Sequence, residues 1–151
     1  EKIPIIDMLT IIEAVADIAE FTKAPEVLLE HVRAKLYRLI TQKFKDTDGI
    51  LHIVTIKPEL EQQFIGKIQE HHGVSQLMLS IAEINNLVTK TKKLLDSIEV
   101  KGFSKITMVV DPILRKRISE IYEKFGLQVS VLSHAELDSK ANFAIEGTLE
   151  F

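Results

Sequence analysis

Residues 30–62 read EHVRAKLYRLITQKFKDTDGILHIVTIKPELEQ, and the organisation of the chain follows from them. Val32, Leu36, Leu39 and Ile40 recur at helical spacing, with His31, Arg33, Lys35 and Arg38 on the other side. Asp48-Gly49 is a turn signal. The run ILHIVTI that follows (50–56) is too apolar for a half-exposed strand, so a strand buried on both faces is expected. Pro58 then opens a helix, with Leu60, Phe64, Ile65 and Ile68 inward and an end near His72. Gly73 is the expected C-terminal cap. No catalytic motif lies in this stretch.

Upstream, Ile5, Leu9, Ile12, Ala16 and Ala19 form one apolar stripe and Met8, Ile11, Val15 and Ile18 a second. This predicts a helix over 7–20 capped by Asp7. Pro25 at a first-turn position starts the next helix, expected to run unbroken over 25–43 and to pair antiparallel with the first.

Downstream, Ser80 and Glu83 have the spacing of a capping box before a long helix carrying Ile84, Val88, Thr91, Leu95 and Ile98. A strand over 105–110, a helix opened by Asp111-Pro112 and a strand over 128–132 read as a parallel βαβ unit. Ser133 and Glu136 suggest another capping box, and 143–149 a last strand with Gly147 at a bulge or turn. His52, inside the apolar strand, is expected to be a hydrogen-bonded core or edge residue. The fold class is therefore α/β with α+β character, in two small subdomains. The first, 1–74, is helix-helix-strand-helix; the second, 75–151, is a long helix, the βαβ unit and a final strand.

The totals narrow the function. Lys plus Arg number 19 against 22 Asp plus Glu, so the basic excess usual in nucleic-acid binders is absent. With no cysteine there is no disulfide, thiol catalysis or cysteine-ligated zinc. No apolar run approaches the ~20 residues of a membrane helix. There is no signal-peptide pattern, and the chain opens on Glu1 and not on methionine, so an excised piece of a longer protein is expected.

The chemistry-bearing residues read blandly. His71 and His72 are adjacent and diverge by about 100° on a helix, a poor chelate. Ser133-His134 fits a cap better than a nucleophile, since no Gly-x-Ser-x-Gly elbow exists. Asp46/Asp48 fit turn chemistry, and Glu59/Glu61 complement a helix start. There is no phosphate loop, and no metal or cofactor is expected. Arg115-Lys116-Arg117 is the strongest basic cluster, either a solvated helix face or a surface for protein partners.

Three stretches in order, IPIIDMLTIIEAVAD, LLEHVRAKLYRLI and ILHIVTIKPELEQ, resemble the cytoplasmic region of the type III secretion export-gate family. That family serves flagellar and virulence systems. ITMVVDPILRKRISEIYEKFGLQVSVLSHAEL is similar to its closing segment, including the VLS…E pattern at 131–136. The resemblance implies a non-enzymatic module made of the third and fourth subdomains, 1–74 being ring-forming. It implies self-association into a nonameric ring at the cytoplasmic face of the bacterial inner membrane. It also implies docking of export chaperone–substrate complexes, with membrane contact only through a preceding region. Arg33 and Arg38 match arginines of the family's second-helix pattern and Arg115 one after a later helix start. With Lys116 and Arg117 they are the protein-interaction candidates. Where the family often has aspartate before the helix-opening proline, this chain has Lys57, which implies a weaker helix start. Two rival readings remain. One is a small α/β enzyme using the strand ends near Val110 and Leu132; the other is an RNA-binding domain using 115–117.

Overall fold

In the computed structural model, residues 7–103 and 105–151 are described. Ile5, expected in the first helical stripe, lies outside them. Three helices come first: α1 (Met8–Ala19), α2 (Pro25–Lys35) and α3 (Tyr37–Phe44). Asp7 caps α1 as expected, accepting from the Thr10 N–H at 3.1 Å. The single helix expected over 25–43 is divided at Leu36, whose φ of −87° and ψ of 17° leave the helical region. No proline or glycine marks this break. Its two sides are fastened separately to one turn: Arg33 to the side chain of Glu136, Thr41 to its backbone carbonyl.

The remaining elements are β1 (Leu51–Ile56), α4 (Pro58–Ile65), β2 (Ile68–His71), β3 (Val74–Leu77) and α5 (Ile81–Glu99). They continue with β4 (Thr107–Val110), α6 (Pro112–Lys124), β5 (Ser130–Ser133), a 3-10 turn (His134–Glu136) and β6 (Phe143–Leu149). The main sheet has the order β5-β4-β1-β6, and every neighbouring pair is parallel. The βαβ unit β4-α6-β5 is present, with Asp111 accepting from the Ile113 N–H and Pro112 in the first turn. Ser80 caps α5 by accepting from Glu83 N–H.

Central β1 is buried on both faces, as its composition requires. Val54 and Ile56 point into the larger core with Leu60, Phe64, Leu87, Ile98, Leu114, Ile118 and Tyr122. Leu51 and Ile53 point the other way, toward Phe44 and Leu137. The alternation is the two-residue period of a strand. The expected division at 74/75 cuts across this sheet, since β1 precedes it and the partners of β1 follow it. The larger core also draws on both sides. A division between Phe44 and Leu51 leaves the sheet whole, with α1–α3 as a helical unit.

The helix expected to continue to His72 stops at Ile65, and β2 and β3 form an antiparallel hairpin instead. His72 (φ 50°) and Gly73 (φ 77°) are both left-handed, the geometry of a two-residue hairpin turn. Gly73 is thus a turn residue and not a helix cap. At β6 the bulge is real: Ile53 pairs with Ile145 and Val54 with Gly147, leaving Glu146 extra. A Cβ on Gly147 would sit 2.7 Å from Leu94 Cδ1, so α5 packs directly on this strand.

Lys57 occupies the cap position of α4 with extended backbone and no side-chain cap. Its ammonium instead meets Glu150 at 3.2 Å, an exposed pair of small energetic weight. Lys57→Asp is therefore expected to raise the melting temperature by adding a cap. An unchanged or lower melting temperature in a thermal scan would contradict this.

Candidate functional site

The basic residues singled out in the sequence are mostly internal. Arg33 is buried, and its Nε and Nη2 donate to the two carboxylate oxygens of Glu136, each at 2.9 Å. Arg115 is buried as well. Its Nε donates to Glu30 at 2.9 and 3.0 Å and its Nη2 donates to Glu30 Oε1 at 2.6 Å. Arg115 Nε also lies 3.6 Å from Glu136 Oε1. Glu136, at 0% exposure, thus stands between two guanidiniums. The planar fork of arginine suits this two-point contact.

The rest of the cluster extends the pattern. Lys116 donates to Glu26 at 3.1 Å, and Arg117 donates to Glu26 and Glu120. Burial pushes the Glu26 carboxyl up, but the hydrogen bond and charge of Lys116 and Arg117 outweigh it and hold the group below its usual value. Residues 115–117 on α6 are thus spaced to meet Glu26 and Glu30, one helical turn apart on α2. Thr41 adds to the seam, donating to the Glu136 carbonyl at 3.0 Å and accepting from the Asp138 N–H at 2.9 Å. A small apolar cluster, Leu36, Ile40 and Leu132 with Val32, Phe44 and Leu137 around it, completes the joint.

Of the five interaction candidates, Arg38 alone is exposed, over the Tyr37 ring at 5.4 Å. Arg33 and Arg115 are structural. Lys116 and Arg117 are half-buried against Glu26. Sequence reasoning also passed over the apolar face of the first helix. Leu9 (68% exposed), Ile12 (60%) and Met8 stand open on α1, with Phe21 (83%) beyond its end. The wide double stripe of 5–19 was the available signal.

At the strand ends considered for an enzyme, Asp111 and His134 meet Glu61 of α4, each with one ligand atom within 4.8 Å of the others. Two already have structural roles. Asp111 caps α6, and Glu61 accepts from the Asp111 N–H at 3.1 Å. His71 and His72 sit exposed at the hairpin turn. The Ser133-Glu136 capping box does not form: Ser133 is buried without a cap bond, and Glu136 turns inward to Arg33. A groove of about 730 Å³ runs along β5, lined by Arg33, Phe44, Arg115 and residues 126–132. Its two arginines are already engaged by carboxylates. No helix among the described residues is long and apolar enough to cross a membrane.

The class this defines is a parallel α/β unit joined to a helical unit through buried ion pairs. Residues 1–142 match the FHIPEP family model, and the chain belongs to that family. Its resemblance to export-gate proteins therefore holds. It is 39% identical to the flagellar biosynthesis protein FlhA of Helicobacter pylori, over 99% of this chain and 20% of that protein. The chain thus spans about a fifth of that relative's length. In fold it is similar to the nonameric SctV-C of EPEC, with a TM-score of 0.86 at 20% identity, covering 98% of this chain and 44% of that one. It is also similar to the structure of the Chlamydia pneumoniae CdsV and CdsO protein complex, with a TM-score of 0.81 at 22% identity over 99% of this chain and 44% of that one.

Proposed function

We propose that this chain acts without chemistry of its own, as part of the cytoplasmic portion of a flagellar or virulence export gate. It takes part in ring assembly and in receiving chaperone–substrate complexes for export. Family membership supports the setting. The nonameric state of the EPEC relative and the CdsV–CdsO complex support a role in assembly and docking. Attachment to the membrane belongs to a region outside this chain.

The observation that carries the reading is the open apolar face of α1, on a helical unit that also exposes Arg38 while Arg33 is buried against Glu136. Contiguous exposed apolar surface marks sites of protein contact. We assign the ring contact to α1–α3 and the docking of other export proteins to the sheet unit. The division between 44 and 51 replaces the one at 74/75 for this purpose.

The test uses a longer polypeptide that contains this chain and self-assembles. Ile12→Asp and Arg38→Glu are expected to shift light-scattering mass toward monomer at unchanged melting temperature. Intact assembly in both variants would reject the ring contact. Arg33→Glu is unsuitable, because it breaks a buried pair and reports on folding.

A further inference from the structure

We propose that His52 is held as a doubly donating imidazolium and serves as a proton-operated clip, fastening the 46–50 turn and the β6 bulge to the central strand. This goes beyond the export-gate reading and does not depend on it.

His52 lies on β1 at 3% exposure. Its Nδ1 is 2.9 Å from Glu146 Oε1 and its Nε2 is 2.8 Å from Asp48 Oδ2. An ionised carboxylate only accepts hydrogen bonds, and a neutral imidazole carries one N–H. A neutral ring would therefore aim a lone pair at one carboxylate oxygen at under 3 Å. The imidazolium satisfies both contacts. The Phe103 ring stacks on it, centroids 3.9 Å apart at 23°, placing a π face against the cation.

The charged groups facing the site come from three segments. Asp48 belongs to the turn before β1, Glu146 to β6, and Lys101, 3.5 Å from Glu146 Oε2, to the loop after α5. Asp46 stands behind Asp48 and is engaged by the Thr47 and Lys105 N–H groups. Glu146 is the extra residue of the bulge, so its side chain holds the strand where the ladder is interrupted. Asp48 also accepts from the Ile50 N–H, which ties the turn to the strand entry. Losing the proton removes one of the two ties.

Burial pulls His52 down, yet the hydrogen bonds to Glu146 and Asp48 and their charges outweigh it and hold it above the usual histidine value. The folded chain then binds the proton more tightly than the unfolded chain. The clip's stabilisation is complete below the unfolded value of about 6.5 and is lost as pH rises through the folded value.

The test is nitrogen NMR of the histidine rings in the 151-residue chain. Both His52 nitrogens should carry protons at about pH 6, with a titration midpoint above about 6.5. Glu146→Gln should lower that midpoint, since it removes one of the two carboxylates that hold the proton. A neutral His52 tautomer at about pH 6, or a midpoint indifferent to Glu146→Gln, would overturn the proposal.

Discussion

Replacing Glu136 by alanine is expected to destabilise the chain by about 3–5 kcal/mol, because it removes a fully buried carboxylate bonded at two points to the buried Arg33 guanidinium. Arg33 loses both of its bonds to the carboxylate, and Arg115 loses a charge at 3.6 Å. Glu30 remains on Arg115, so the damage falls mainly on Arg33. At ~2–4 °C per kcal/mol for a domain of this size, the melting temperature should fall by roughly 6–20 °C. Glu136→Gln keeps the shape and should cost less. A melting temperature for Glu136→Ala within about 2 °C of the parent would show that the pair contributes nothing.

The second large effect is expected at Phe64, which is buried where α4 meets the main core and packs edge-on to Phe151 at 5.7 Å. Phe64→Ala removes a ring from the core that α4 shares with α5, α6 and the sheet. The rigid sheet beneath limits collapse, so a loss of about 3–5 kcal/mol is expected in urea unfolding. The transition should remain single, because the same core is built from residues on both sides of 74/75. Two separated transitions in the variant would contradict a shared core. So would a loss below about 1 kcal/mol.

These two residues also show what could be read from the sequence. Phe64 was legible as core because helical spacing is local, and so were the caps at Asp7, Ser80 and Asp111 and the β4-α6-β5 unit. Each depends on residues a few positions apart. Glu136 was misread because its partner Arg33 lies 103 residues away, while Ser133 three residues before it offered a local explanation. The break at Leu36 carries no local signal and exists because both of its flanks bind the 134–138 turn.

The hairpin at 68–77 was obscured by competing signals. Ile65 and Ile68 continue a helical spacing, and Gly73 suits a helix end as well as a turn. Two consecutive left-handed residues, His72 and Gly73, decide for the turn. The central place of β1 was half visible. Its apolar run foretold burial on both faces, but only pairing with β4 and β6 shows that the sheet crosses the expected boundary. Of the candidate surface, charge was visible and direction was not. Arginine on a helix looks the same in sequence whether it meets solvent or a carboxylate from another element.

The inward latch formed by Arg33 and Glu136 is tested most directly by a double-mutant cycle. Arg33→Met, Glu136→Leu and the double variant would be compared with the parent by urea unfolding. A coupling energy of about 1–3 kcal/mol is expected, with the double variant less damaged than the two single losses summed. Additivity within about 0.5 kcal/mol would contradict the latch.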